Sequence, residues 1–301
     1  MTYPEPGRTV TVGVDGSTAA ISAVRWAAAE AVRREATLRL FHACVLPPMR
    51  NPRPLSAAVG YSDGLFEDGR RWLREAKNAA MLEQLGLEVT TELTIGNAVD
   101  QLIYESDNAS LLVLGSRGIG GFRDMLAGSV AVALPAHGHC PMVVVRSATP
   151  VGSPPVQGPV VVGVDGSPAS DAAIGYAFEA ADDRGAPLIA VHAWNDIVAD
   201  AAWSMPSLKL DRHAIQAAEE ERLHERMNGW REKYSDVRVY LEVIADRPSH
   251  ALLARGETAQ LIVVGSRGRG RFAGAALGST TRALLHHAVC PVAVLPHDLA
   301  R

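Results

Sequence analysis

The 301 residues hold no apolar run that could cross a bilayer: strand-like stretches such as Leu111 to Leu114 and Leu261 to Val264 are far too short. The N-terminal segment is proline-rich and polar, without the apolar core of a secretory signal, so a soluble, cytoplasmic chain with no membrane partner is expected. Excess charge is also missing. With 29 basic and 33 acidic residues the formal net charge is −4, and no local basic run is present, which argues against a nucleic-acid partner. Cysteine is scarce: Cys44, Cys140 and Cys290 are odd in number and form no Cys-x-x-Cys pair, so neither a disulfide framework nor a zinc site is indicated. Cys140-Pro141 and Cys290-Pro291 each precede an apolar strand and read as small buried thiols. There is no Gly-x-x-x-x-Gly-Lys-[Ser/Thr] phosphate loop.

What the chain does have is an internal repeat. Val12-Gly13-Val14-Asp15-Gly16-Ser17 recurs as Val162-Gly163-Val164-Asp165-Gly166-Ser167, 150 residues later. Gly115-Ser116-Arg117-Gly118 followed by Gly128-Ser129 recurs as Gly265-Ser266-Arg267-Gly268 followed by Gly278-Ser279, at the same offset of 150. A repeat of that length is the size of one domain. Two domains are expected, over 1–147 and 159–301, joined by a Pro/Gly/Ser-rich linker at 148–158.

Each half alternates apolar, β-branched runs with segments of helical spacing. Strands are expected at Thr9 to Val14, Thr37 to Ala43, Leu87 to Thr94, Leu111 to Leu114 and Met142 to Val145, and at Val160 to Val164, Pro187 to Ala193, Val237 to Ile244, Leu261 to Val264 and Val292 to Leu295. Between them, Ile21, Val24, Ala28 and Val32, and Phe66, Leu73, Ala76 and Ala80, keep helical steps of three and four. Runs that are apolar throughout indicate strands covered on both faces. The implied fold is α/β: a doubly wound parallel sheet, made twice. Ser17 and Ser167 read as helix N-caps, with Pro168 at the first helical position. Prolines at 47, 48, 52, 54 and 206 make Val45 to Asp63 and Asn195 to Leu208 irregular loops at the strand C-terminal edge.

In such sheets ligands bind beyond the strand C-termini, where strand order reverses. That places Asp15 and Asp165 at the mouth of a crevice. If the fourth strand pairs with the first, 115–129 and 265–279 face them, with glycines that let main-chain N–H groups approach phosphate oxygens. Asp-Gly-Ser is also a common strand-to-helix turn, but both copies keep Asp although serine already supplies the cap. His42 and His192, at the ends of the second strands, read as structural histidines beneath the loop. His137, His139, His286 and His287 are spaced differently in the two copies, which argues against a metal.

The spacing Gly-x2-Gly-x9-Gly-Ser resembles the ATP-binding signature of the universal stress protein family, and nearly the whole chain is similar to its tandem two-domain members. The resemblance implies two five-stranded sheets of order 3-2-1-4-5, of the adenine-nucleotide alpha-hydrolase-like kind, with ATP, with or without Mg, between the first and fourth strands. It implies that Gly13, Asp15 and Ala43 contact the adenosine end, that Gly115 and Arg117 lie near the ribose, and that Gly118, Gly128, Ser129 and Val130 hold phosphates. The matching set is Gly163, Asp165, Ala193, Gly265, Arg267, Gly268, Gly278, Ser279 and Thr280. It further implies pairing of the two domains through their fifth strands as a pseudo-dimer, with a homodimer of chains open.

Neither glycine loop contains a lysine and no general base accompanies the arginines, so binding with slow or no hydrolysis is expected over phosphoryl transfer. An ATP-hydrolysing or adenylyl-transferring enzyme, a scaffold without ligand, and a cyclic or monophosphate nucleotide remain alternatives. The loops differ in charge: Arg123 and Asp124 cancel in the first, while the second contains Arg269 and Arg271 and no acid, and Thr280 replaces Val130. The C-terminal site is therefore expected to prefer a triphosphate more strongly, with steeper salt dependence.

Overall fold

A computed structural model describes residues 8–45, 55–118, 128–146, 157–194, 212–268 and 277–297. The chain divides into two compact units, Met1–Val151 and Gly152–Arg301. The linker 148–158, but for its last two residues, and the irregular segment 195–208 lie outside the described residues.

The first unit runs β1 (Thr9–Gly13), α1 (Thr18–Arg33), β2 (Thr37–Cys44), α2 (Leu55–Glu83), β3 (Val89–Ile95), α3 (Ala98–Ser106), β4 (Leu111–Gly115), α4 (Ser129–Ala133) and β5 (Met142–Val145). The second runs β6 (Val160–Gly163), α5 (Pro168–Asp182), β7 (Leu188–Ala193), α6 (Arg212–Lys233), β8 (Val239–Ile244), α7 (Pro248–Gly256), β9 (Leu261–Gly265), α8 (Ser279–His287) and β10 (Val292–Leu295).

All pairings within a unit are parallel. β1 lies between β2 and β4, β3 flanks β2 and β5 flanks β4, giving the order 3-2-1-4-5. The second unit repeats it: β6 lies between β7 and β9, with β8 and β10 outside them. Right-handed crossovers put α1 and α2 on one face and α3 and α4 on the other, because the strand order reverses after β3. Contacts between α1 and α2, and between α3 and α4, agree. Strands covered on both faces are apolar throughout: Val10, Val12, Leu111, Leu112 and Val113 are all fully buried.

Two helix expectations change. The buried stripe of α1 is Ala20, Ala23, Val24, Ala27, Ala28 and Ala31, whereas Val32 is 47% exposed. Alanines bring the helix close to the sheet, so its inner face is marked by small residues together with Val24, and not by Val32. The segment from Leu55 to Asp63, expected to be irregular, belongs to α2. All four prolines of that stretch lie before Leu55, where they cannot interrupt helical hydrogen bonds, and 46–54 are outside the described residues.

Candidate functional site

Each crevice is built from two loops that the fold brings together. In the first unit β1 ends at Gly13, and Asp15 bends the chain back. Its carboxylate accepts the Ser17 N–H at 3.0 Å, with Gly16 between them at φ +83°. Ser17 then caps α1, accepting the Ala20 N–H at 3.1 Å, and its hydroxyl donates to the Arg117 carbonyl at 3.0 Å. One serine thereby starts a helix and ties the loop after β1 to the loop after β4. The second unit does the same: Ser167 N–H to Asp165 at 2.9 Å, Ser170 N–H to Ser167 at 3.2 Å, and Ser167 hydroxyl to the Arg267 carbonyl at 3.4 Å.

On the opposite side, the Gly128 N–H donates to the Ser116 carbonyl at 2.8 Å, and the Ser116 N–H to the Val145 carbonyl at 2.8 Å. Gly278, Ser266 and Leu295 repeat this at 2.9 and 2.8 Å. Ser116 and Ser266 are buried, whereas Ser129 and Ser279 are exposed at the helix starts.

Most of the shared glycines have a reason inside the protein. A Cβ on Gly115 would stand 2.6 Å from the Ala19 carbonyl carbon, and one on Gly265 would stand 2.7 Å from Ala169 Cβ, so both let the first helix pack on the fourth strand. A Cβ on Gly13 would meet Leu114 at 2.8 Å, and on Gly163 Leu252 at 2.9 Å. On Gly118 and Gly268 it would run into the carboxylates of Asp15 and Asp165. Gly128 and Gly278 differ. Their backbone is extended (φ −69°, ψ 151° and φ −64°, ψ 151°), and among the described residues the nearest atoms to an added Cβ are 3.6 and 3.5 Å away, ordinary contact. Neither packing nor backbone strain among the described residues accounts for glycine there.

The sequence-predicted residues gather at two sheet edges. Gly13, Asp15, Gly115, Arg117, Gly118, Gly128 and Ser129 share the C-terminal edge between β1 and β4, and Gly163, Asp165, Gly265, Arg267, Gly268, Gly278 and Ser279 share it between β6 and β9. Ala43 lies at the end of β2 and packs, with Val130, against the core around Phe41, Leu102 and Leu134. The Val130 side chain therefore serves the core, and only its backbone is left for a ligand. Ala193 ends β7, and Thr280 stands in the first turn of α8. The next residue, Thr281, is buried and donates from its hydroxyl to the Gly265 carbonyl at 2.8 Å, where the first unit has Ala131. Residues 119–127 and 269–276, with Arg123, Asp124, Arg269 and Arg271, lie outside the described residues.

His42 and His192 sit beneath the loops, Nδ1 at 2.6 Å from the Val14 carbonyl and 2.7 Å from the Val164 carbonyl. Among the described residues no group of three or more His, Cys, Asp or Glu could hold a metal ion. The thiols of Cys140 and Cys290 are buried, and burial pushes each up to about 12, so they are neutral and inert. No helix among the described residues is long and apolar enough to cross a membrane.

One functional candidate lies outside the motifs. Arg146 follows β5, and its guanidinium is pulled below the usual arginine range by burial and by the nearby charge of Arg117. Two arginines thus approach each other where β4 and β5 end. The repeat offers a signal for it: the position 150 residues on is Pro296.

A family model described as the universal stress protein family matches twice, over residues 7–146 and 158–296. The chain belongs to the universal stress protein family. It is similar over its length to universal stress protein Rv2005c of Mycobacterium tuberculosis, 39% identical over 303 residues that cover 98% of this chain and 99% of the relative. Universal stress protein Rv2623 of the same organism is 38% identical, covering 96% and 97%. Among solved structures, a universal stress protein from Archaeoglobus fulgidus matches with TM-score 0.68 at 21% identity, covering 97% of this chain and 99% of that one. The tandem arrangement of two universal stress protein domains is therefore a property shared with full-length relatives.

Proposed function

We propose that each repeat binds one adenine nucleotide, ATP in preference to a mono- or cyclic phosphate, and that the protein acts as a nucleotide-dependent stress-response module with little or no hydrolysis. The observation that carries this is Gly128 and Gly278. They are the two shared crevice glycines with no reason among the described residues, and they stand where helix-opening N–H groups face the loop carrying Asp15 or Asp165. A glycine kept free of neighbours lets a phosphate come within hydrogen-bonding distance of the main chain. Magnesium fits only as a companion of the phosphates: the Asp15 carboxylate already accepts the Ser17 N–H, so such an ion would take its remaining oxygens from the nucleotide and water. Inert thiols suit work in the cytoplasm.

The test is to denature freshly purified protein and quantify released nucleotides by chromatography with mass detection, for wild type and for Gly128→Glu/Gly278→Glu. Nearly two equivalents of ATP in wild type and little in the variant, with unchanged helical signal, is the expected result. A wild type that carries no nucleotide and takes up none on soaking overturns it. ADP with measurable turnover would favour the enzymatic alternative.

A further inference from the structure

The end of α2 is apolar on the side turned to solvent. The helix buries Leu73, Ala76 and Ala80, yet Met81, Leu82 and Leu85 are 48%, 84% and 94% exposed. Leu85 follows Leu82 by three positions and Met81 by four, so the three side chains share one surface. The fold does not ask for them. In the second repeat α6 ends the same way: the Tyr234 N–H donates to the Trp230 carbonyl at 2.9 Å, as the Gln84 N–H does to the Ala80 carbonyl. The positions 150 residues on from the patch are Arg231, Glu232 and Ser235, all exposed. One helix end is polar where it meets water, and the other keeps three large apolar side chains there, whose burial against a partner is favourable.

The occupant that fits is a second copy of the chain. Charge around the patch is divided by sign: Arg74 and Lys77 lie upstream in α2, while Glu83 closes the helix and Glu88 follows it. Arg71 pairs within the helix, with Asp68 at 2.8 Å, but none of those four belongs to an ion pair among the described residues. When two such helices pack antiparallel about a two-fold axis at their ends, the basic stretch of each meets the acidic end of the other, where the helix dipole is negative as well. Docking of the leucines on the second repeat is disfavoured. The matching surface there holds Arg231, Glu232, Asp236 and Arg238, whose charges would lose water without gaining partners.

We propose that two copies associate through the end of α2, with Met81, Leu82 and Leu85 of one packing on the same residues of the other, and Arg74 of each beside Glu83 and Glu88 of its neighbour. Three apolar side chains from each copy make a small contact, so the association belongs to the micromolar range.

Sedimentation of the full chain across micromolar concentrations tests this, in wild type, Leu82→Glu/Leu85→Ser, Arg74→Glu and Arg74→Glu/Glu83→Arg/Glu88→Arg. Wild type should show a monomer–dimer equilibrium. Leu82→Glu/Leu85→Ser gives the first repeat the residues that the second has at those positions, and should weaken the dimer by about tenfold or more with helical signal unchanged. Arg74→Glu should weaken it several-fold, and reversing the two acids in the same chain should restore it. A wild type that stays monomeric, leaving the patch to a different protein, overturns the proposal. So does a dimer that Leu82→Glu/Leu85→Ser leaves intact, or one that the reversed charges fail to restore.

Discussion

The two repeats share a backbone and disagree in the side chains that hold it. In the first, Arg39 of β2 lies between Glu92 of β3 and Glu105 of α3, with Arg39 Nε 3.0 Å from Glu105. In the second, Ile189 stands in place of Arg39 and Arg255 in place of Glu105, and Arg255 reaches Glu242, the counterpart of Glu92, at 2.6 Å. The basic partner has moved from strand to helix, and the one acid on the third strand is retained. A duplicated fold therefore constrains where charge must be balanced, not which element supplies the cation.

The largest consequence comes from burial. Glu105 is 9% exposed, and burial pushes its carboxyl up while Arg39 pulls it back down. Removing Arg39 leaves that carboxylate in a poor solvent without its partner, so Arg39→Ala should cost about 3 kcal/mol. Arg255 and Glu242 are 46% and 26% exposed, so Arg255→Ala should cost less than about 1 kcal/mol. Urea unfolding followed by tryptophan fluorescence separates the two; equal losses would mean that burial is not what distinguishes the pairs.

A smaller contrast lies in the turn glycines. Gly16 and Gly166 both adopt positive φ, +83° and +76°, so an alanine costs about 1 kcal/mol in either place. At Gly16 the new methyl must also displace the rigid Trp72 ring, whereas among the described residues Gly166 meets the end of a flexible side chain, Arg226, whose guanidinium donates to the Gly166 carbonyl at 3.4 Å. Gly16→Ala should therefore lower thermal stability clearly more than Gly166→Ala. Matching shifts in melting temperature would show that the indole moves without cost.

These contrasts mark what sequence reading reaches and where it stops. Strands are legible because β-branched runs covered on both faces carry their own signal, and Ser17 and Ser167 are legible as caps because capping is local. The glycines of the crevice are legible as a set, but not their separate reasons: that Gly115 yields to Ala19 while Gly128 yields to nothing described requires the packed loops. The start of α2 is hidden because four prolines disfavour helix up to residue 54 and give no sign that one begins at Leu55. Trp72 reads in the sequence only as a ring beside a helical stripe, since its contact with Gly16 joins residues far apart in the chain. Arg146 carries no motif, because its closeness to Arg117 is made across two neighbouring strands.

Arg146 also tempers the expected difference between the crevices. By loop charge alone the second site is the more basic, through Arg269 and Arg271 against the cancelling Arg123 and Asp124. In the first repeat Arg146 adds a cation beside Arg117, where the second repeat has Pro296. Its partial burial matters more than its count, because a cation held away from bulk water is screened less by salt. With the other site blocked by Gly278→Glu or Gly128→Glu, the second site should bind ATP more tightly and lose affinity faster with added salt, by a modest factor. Arg146→Gln in the Gly278→Glu background should widen that gap several-fold by weakening the first site. If it leaves ATP affinity and its salt dependence unchanged, the Arg117 and Arg146 charges act on each other and not on the phosphates, and the two crevices differ only through their loops.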